Sequence, residues 1–392
     1  MKIAILTCGL LPIPAVQGGA VENLIDFYLA YNDQLRQHDI TIYSPKNAKT
    51  CGHSALSSEV NHYRYIDVSS LTARVARRIR SFFHRGEYYN YFIEYYFERV
   101  FADLRKRHFD CILLENCPGF AYKLSQRGYR NLILHLHNDL LNSQSRHHDA
   151  IFQGLSKIIC VSDFVKQQVA TIQSSDKILT IHNGIDLSSF CRKATTAVSR
   201  EALGFAKDDF VMVYSGRINK DKGIAELIDA LLLLQDQPKI KLMVLGSSFF
   251  EDARSENAFI RQLKEKAEGI RERIVFTGFI PYSLVPDYLQ MADMAVLPSM
   301  WDEPFGLTIV EAMAVGLPLI TTRSGGIPEI CEGVATIVER DDIVNNLVSS
   351  ILDLYKHPDQ RHQMAAAALN RAQEFDKDTY AKRFLTALTA NL

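Results

Sequence analysis

Long apolar runs are missing from this sequence. None of its 392 residues fall in a stretch approaching the roughly 18 consecutive apolar positions of a membrane-spanning helix. An excess of one charge is missing too: 44 Lys and Arg against 45 Asp and Glu leave a net charge of −1. No global field therefore recruits nucleic acid, and any basic partner site must be local. The seven cysteines (Cys8, Cys51, Cys111, Cys117, Cys160, Cys191 and Cys331) form no CxxC, and several stand in apolar, strand-like runs. They read as buried thiols of a reducing compartment. HExxH and a local Cys/His cluster are absent, so no metal cofactor is expected. Without GxSxG there is no hydrolase elbow, and without GxGxxG no dinucleotide fingerprint. The N-terminal MKIAILTCGLLPIP reads as a first strand and loop rather than a signal peptide, and the expected location is cytoplasmic.

What is present is a rhythm. Short β-type runs at Lys2–Thr7, Ile40–Tyr43, Cys111–Glu115, Leu132–Leu136, Lys157–Val161 and Ile178–Ile181 alternate with helical patterns, the first of them Val21–Gln37. A polar, irregular span near Phe190–Ser199 reads as a linker. The alternation restarts at Phe210–Ser215 and continues through Gly223–Leu234, Ile240–Leu245, Arg273–Thr277, Ser283–Met291, Met294–Leu297, Leu319–Thr321 and Thr336–Val338. This grammar predicts an α/β protein of two doubly wound Rossmann-like domains facing across a cleft. The expected N-terminal domain is 1–190, with a last helix in 374–392 crossing back to it, and the C-terminal domain is 191–373.

Leu71–Phe101 interrupts the rhythm. On a helical wheel Arg74, Arg77, Arg78 and Arg85 cluster on one side and Leu71, Val75, Ile79 and Phe82 on the other, ahead of the aromatic run YYNYFIEYYF. A basic amphipathic helix of this kind suits an anionic membrane surface at an acceptor site, and an ordinary surface helix is the other reading.

In open α/β sheets, ligands bind in the loops after the strands. The richest such loop is PSMWDEPFGLTIVEAMAVG, residues 298–316. Glu303 and Glu311 flank a stiff Pro304-Phe305-Gly306 turn, and Thr308–Val315 reads as a helix opening on a hydroxyl, with Glu311 about two turns inside it. A turn into a helix offers free amides and a positive dipole end to an anion such as a diphosphate. The two carboxylates could then grip hydroxyls on either side of that anion, which is the pattern of a nucleotide-sugar pocket. After Phe210–Ser215 comes GRINKDKG, where Arg217 offers a phosphate fork and Lys222 a point charge. Gly18-Gly19 would let a phosphate approach the backbone, and taken alone it is equally a plain turn. In LHLHND, His137 ends a strand and His135 alternates inward as a core residue; a lone histidine there can also be structural. HNGID at 182–186 and GGIPE at 325–329 are further turns at strand ends.

Together these loops resemble the retaining family 4 glycosyltransferases of the GT-B fold, over nearly the whole chain. The resemblance implies that Arg217 and Lys222 neutralise the donor diphosphate. Glu303 and the backbone of Phe305, Gly306 and Leu307 would hold the donor sugar, Thr308 would contact phosphate, and Glu311 the ribose. Phe279 and Ile280 would lie against the base, Gly18 and Gly19 would approach the diphosphate, and His137 would contact the sugar. Implied with these roles is a hexosyl-type retaining transfer from a nucleotide sugar, UDP being common in the family, to an acceptor hydroxyl, with no metal. The basic amphipathic stretch points to a lipid-linked saccharide acceptor at the inner membrane face, and the resemblance implies a setting in surface polysaccharide synthesis. Residues 34–124 match no motif of the family and give no acceptor identity. A GT-B nucleotide-sugar epimerase and a non-catalytic partner protein of the same fold are the rival readings.

Overall fold

The computed structural model describes residues 1–83, 91–247 and 258–390, with backbone only at 80–83 and 91–92. Arg85 and the side chain of Phe82 lie outside the described residues. The chain divides into two compact units, Met1–Gly184 with Lys377–Leu392, and Ile185–Asp376.

Unit 1 runs β1 (Lys2–Leu6), α1 (Ala20–Leu35), β2 (Asp39–Pro45), β3 (Asn61–Ile66), α2 (Leu71–Phe83), α3 (Tyr91–Leu104), β4 (Cys111–Glu115), α4 (Pro118–Gln126), β5 (Leu132–Leu136), α5 (His148–Gly154), β6 (Lys157–Cys160), α6 (Asp163–Ala170) and β7 (Ile178–Thr180). Its seven strands lie in the order β3-β2-β1-β4-β5-β6-β7, and every pair is parallel. Ile3, Ala4, Ile5 and Leu6 are buried without exception, as a central parallel strand covered on both faces requires.

Unit 2 runs β8 (Phe210–Ser215), α7 (Ile224–Leu233), β9 (Ile240–Leu245), α8 (Ala258–Lys266), β10 (Ile274–Gly278), α9 (Val285–Leu289), β11 (Met294–Leu297), α10 (Leu307–Ala314), β12 (Leu319–Thr322), α11 (Ile327–Cys331), β13 (Thr336–Val338), α12 (Ile343–Lys356) and α13 (Pro358–Ala372). Its six parallel strands follow the order β10-β9-β8-β11-β12-β13. The unit opens and closes at one place: Ile185 bridges Asp376, and its amide donates to the carbonyl of Phe375 at 2.9 Å.

The last helix, α14 (Lys377–Thr389), belongs to unit 1. Its Tyr380, Phe384, Leu385 and Leu388 join the cluster of Ile3, Ile5 and Tyr28, and the Phe384 ring stacks on Tyr28 at 4.7 Å. Lys157 of β6 ends the helix by donating its ammonium to the carbonyls of Ala387 and, at 2.7 Å, Ala390.

Four expectations change. Strand β3 has no counterpart in the apolar runs because it is an edge strand, half polar (NHYRYI) and buried fully only at Asn61. The aromatic run after the basic amphipathic helix α2 supplies a helix of its own, α3. Helix α10 starts a residue early, on Gly306 at φ 104° with no side-chain cap, so Thr308 lies inside the helix and Glu311 is one turn in. Cys51 and Cys191 are exposed, because they sit in a turn and in the linker rather than in strands; the remaining cysteines are buried or, at Cys8, half-buried.

In both sheets the strand order reverses once, between β1 and β4 and between β8 and β11. Ligand sites of open α/β sheets form beside such reversals, because the flanking loops leave in opposite directions. The loops after β1, β4, β8 and β11 are therefore the places to look.

Candidate functional site

In unit 2 the loops after β8 and β11 are bound into one structure. Gly223 has φ 68°, and a Cβ there would fall 1.7 Å from the carbonyl oxygen of Pro298, so only glycine lets the loops meet. Met300 N donates to Asp221 O at 2.8 Å across the same junction. A third loop closes from behind: Gly326 N donates to Glu303 O at 2.7 Å, and a Cβ on Gly325 would strike the Glu303 backbone at 2.3 Å.

This framework brings Lys222 and Glu303 into an ion pair across 81 residues of sequence. Ser299 Oγ donates to the same carboxylate oxygen at 2.9 Å, and the ammonium lies 5.5 Å from the Trp301 ring. Glu303 is buried, Gly306 and Thr308 are half-buried, and all three line one concavity with Lys222. The N-terminus of α10 opens into that concavity, with its first amides free of intrahelical partners. Among the described residues, Asn219 Oδ1 and Trp301 Nε1 of the loops after β8 and β11 are buried without a hydrogen-bond partner. Arg217 is exposed, and its side chain makes no hydrogen bond or ion pair among the described residues; its carbonyl accepts from Tyr214 Oη at 2.9 Å.

The side chain of Phe305 is buried in an edge contact with Phe375 at 5.9 Å, and Leu307 is half-buried, so this turn offers a ligand backbone rather than side chains. Glu311 is buried, and Tyr282 donates its hydroxyl to Oε1 at 2.9 Å. Burial pushes the Glu311 carboxyl up to about 7, against the pull of the Tyr282 bond. Phe279 is exposed and Ile280 half-buried in the turn that follows β10.

In unit 1 the structure assembles a second polar cluster. Glu115, the last residue of β4, is fully buried, and His135 is its register partner on β5. Its Oε2 lies 3.0 Å from His135 Nδ1 and 3.0 Å from His137 Nε2, while Tyr28 donates to Oε1 at 2.8 Å. Burial alone would raise the Glu115 carboxyl; the two imidazoles outweigh it and hold the group down at about 2. Burial and the neighbouring His135 depress His137 to about 4, so its ring is neutral near pH 7. A neutral ring that donates Nε2–H to Glu115 presents Nδ1 as an acceptor. The three ligand-type atoms lie within 4.8 Å of one another, a spacing that also suits a divalent cation once both ring nitrogens are deprotonated.

Gly19 caps α1 at φ 110°, and the space its missing Cβ leaves is filled by the Glu22 carboxylate, whose Oε2 would lie 2.1 Å from a Cβ. Burial raises Glu22 to about 6. Gly18 has open space on its Cβ side. On α2, Arg74 and Arg78 are exposed and Arg77 is half-buried. The apolar stripe faces outward as well, with Leu71 76%, Val75 52% and Ile79 58% exposed. No described helix is long and apolar enough to cross a membrane.

Sequence reasoning missed Glu115, Glu22, Ser299 and Tyr282. Only Glu115 carried a signal, as a charged residue closing an otherwise apolar run.

Comparison with known proteins adds the following. The model of glycosyl transferases group 1 matches residues 196–371, and that of Glycosyltransferase Family 4 matches residues 18–189. The chain is 30% identical over 349 residues to the putative glycosyltransferase YtcC of Bacillus subtilis, covering 86% of this chain and 78% of that one. To the lipopolysaccharide 1,2-N-acetylglucosaminetransferase of Salmonella typhimurium it is 26% identical over 282 residues, 70% of this chain and 71% of that one. The crystal structure of HepE from Anabaena in complex with UDP and glucose superposes with a TM-score of 0.74 at 21% identity, over 100% of both chains. That likeness establishes the fold, the GT-B pattern of two Rossmann-like domains.

Proposed function

The chain belongs to the glycosyl transferases group 1 family, and on that premise we propose that it moves a sugar from a nucleotide-diphosphate sugar to an acceptor hydroxyl with retention of configuration. One observation carries the reading: Lys222 and Glu303 meet at the open N-terminus of α10, with Glu311 one turn further in. A cation, free amides and two carboxylates in that order fit a diphosphate flanked by two polyols. Trp301 Nε1, unpartnered among the described residues on a ring 5.5 Å from the lysine ammonium, supports a polar occupant there.

On this reading Lys222 and Glu303 neutralise one another until the donor arrives. The diphosphate then takes the lysine, and the sugar hydroxyls take the glutamate. The bond from the anomeric carbon to the β-phosphate oxygen breaks, and its electron pair stays on the diphosphate. Lys222, Arg217 and the α10 amides stabilise that charge as it develops. The acceptor oxygen bonds to the anomeric carbon on the face the phosphate leaves, and the acceptor proton passes to the departing phosphate. Thr308 is assigned a phosphate contact, Gly18, with open space on its Cβ side, an approach to the diphosphate, and His137 a sugar contact through Nδ1; Gly19, whose space holds the Glu22 carboxylate, is left out of that role. UDP is the proposed nucleotide; the HepE complex named above holds UDP. No metal enters the scheme.

Incubation with UDP- and GDP-sugars and a saccharide acceptor, with and without chelator, tests this. Release of nucleoside diphosphate with a product of unchanged anomeric configuration, insensitive to chelation, is expected. An isomerised sugar without an acceptor adduct would replace transfer by epimerisation.

For the acceptor we propose a lipid-linked saccharide presented at an anionic membrane. Helix α2 supports this: its leucine, valine and isoleucine face outward beside Arg74 and Arg78, the reverse of a helix packed to hide its apolar side. Vesicles containing anionic lipid should carry the protein in flotation, and Arg77→Glu with Arg78→Glu should release it. Unchanged flotation of that variant would refute the membrane role.

A further inference from the structure

Tyr282 stands in the turn after β10, 29 residues before Glu311, and is fixed at both ends. Its ring lies against Phe190 with centroids 5.5 Å apart, and its hydroxyl donates to Glu311 Oε1 at 2.9 Å. Glu311 is 6% exposed, and the phenol is its hydrogen-bond partner among the described residues; no basic side chain there pairs with it. The other carboxylate oxygen, Oε2, makes no hydrogen bond there and is not among the sealed, unsatisfied atoms. One oxygen is thus anchored and the other is available. Beside this pair the same turn carries the exposed ring of Phe279.

We propose that Tyr282 is the positioning residue of the nucleoside pocket: its phenol fixes Glu311 by one oxygen, so that the other meets a ribose hydroxyl and the site discriminates ribose from deoxyribose. The inference rests on the nucleotide reading of this site and deepens it. A carboxylate that must accept from a sugar hydroxyl has to be ionised and correctly turned, and a buried glutamate without a cationic neighbour is poorly placed for both. The phenol supplies both, as a donor that favours the charged form and as a fixed point for the rotamer. The charged group facing Tyr282 itself is Asp186, whose carboxylate accepts from Ser188 Oγ at 2.6 Å and Ser189 Oγ at 2.9 Å. Among the described residues, the titratable group facing Glu311 is Tyr282.

The test is calorimetric titration of UDP and 2′-deoxy-UDP into wild type, Tyr282→Phe and Glu311→Gln between pH 6 and 9. Wild type is expected to bind UDP more tightly as pH rises through about 7, where Glu311 ionises. Tyr282→Phe is expected to weaken UDP about 10-fold at pH 7, the scale of one hydrogen bond to a charged group. It should also move the pH midpoint upward and narrow the preference for UDP over 2′-deoxy-UDP. Glu311→Gln should abolish the pH dependence. A purely structural tyrosine would lower the melting temperature without moving the pH midpoint or the ribose preference. Tyr282→Phe that binds both nucleotides as wild type does, or more tightly, overturns the inference alone. Wild type that melts normally yet binds no UDP at any pH overturns the nucleotide reading, and this inference with it.

Discussion

The two polar clusters are built on opposite principles. In unit 1, Glu115 closes a buried strand and is satisfied by three donors, Tyr28, His135 and His137, all from the same unit's core. In unit 2, Glu303 stands on a loop and is met by one lysine, which is itself partly open to solvent, and one serine. A carboxylate with three internal donors has little left to offer a ligand, whereas a loop carboxylate held by a lysine can exchange partners when a diphosphate appears. Unit 1 therefore uses its acid to hold a histidine, and unit 2 uses its acid as a contact in waiting.

The sharpest way to break this contrast is on the reaction itself. Lys222→Ala should lower kcat by at least about 100-fold, the scale of removing one preorganised donor from a developing charge. Circular dichroism and melting should be near those of wild type, and near-wild-type turnover would remove Lys222 from the leaving-group role.

Stability should show the reverse pattern. Glu115→Ala strands three buried donors, and a loss of about 3 kcal/mol or more in denaturant unfolding is expected. Glu303→Ala releases a half-open pair, and about 1 kcal/mol is expected. Equal losses at the two acids would erase the distinction.

A third test is a pH signature of opposite sign in the two units. Glu311, at about 7 against an ordinary 4.5, binds its proton more tightly when folded, so stability is present below 4.5 and lost as pH rises toward 7. His137, at about 4 against 6.5, binds its proton less tightly when folded, so stability is present above 6.5 and lost as pH falls toward 4. Relative to wild type, Glu311→Gln should gain stability from pH 5 to pH 8, and His137→Gln from pH 6.5 down to pH 4. Each gain is up to about 3 kcal/mol. Parallel pH profiles for wild type and both variants would refute these assignments.

Much of unit 2's site is visible along the chain because it is made of local pieces. The spacing of Glu303 and Glu311, the glycine turn between them and the basic GRINKDKG loop are contiguous strings whose chemistry survives without the fold. The loop pairing is not contiguous. That Lys222 meets Glu303, rather than solvent, follows from β8 lying beside β11 and from Gly223 touching Pro298. Unit 1's cluster was less visible for the same reason. Glu115 and His135 are 20 residues apart, and only the register of β4 on β5 makes them neighbours. The Gly18-Gly19 pair suggests an opening for phosphate, while the space at Gly19 holds the Glu22 carboxylate, which no glycine pattern announces. The apolar stripe of α2 was legible as a stripe, and its outward direction was not.

The amino-acid order by itself determined the two parallel sheets, most of their strands and the identity of the charged groups after them. Those properties depend on periodicity and on side-chain chemistry, which neighbouring residues encode directly. Tertiary structure alone decided which charges neutralise one another, which oxygen of each glutamate stays available and which way an amphipathic helix turns. Those outcomes depend on distances between atoms far apart in the chain, set by strand order and register rather than by any short stretch of residues.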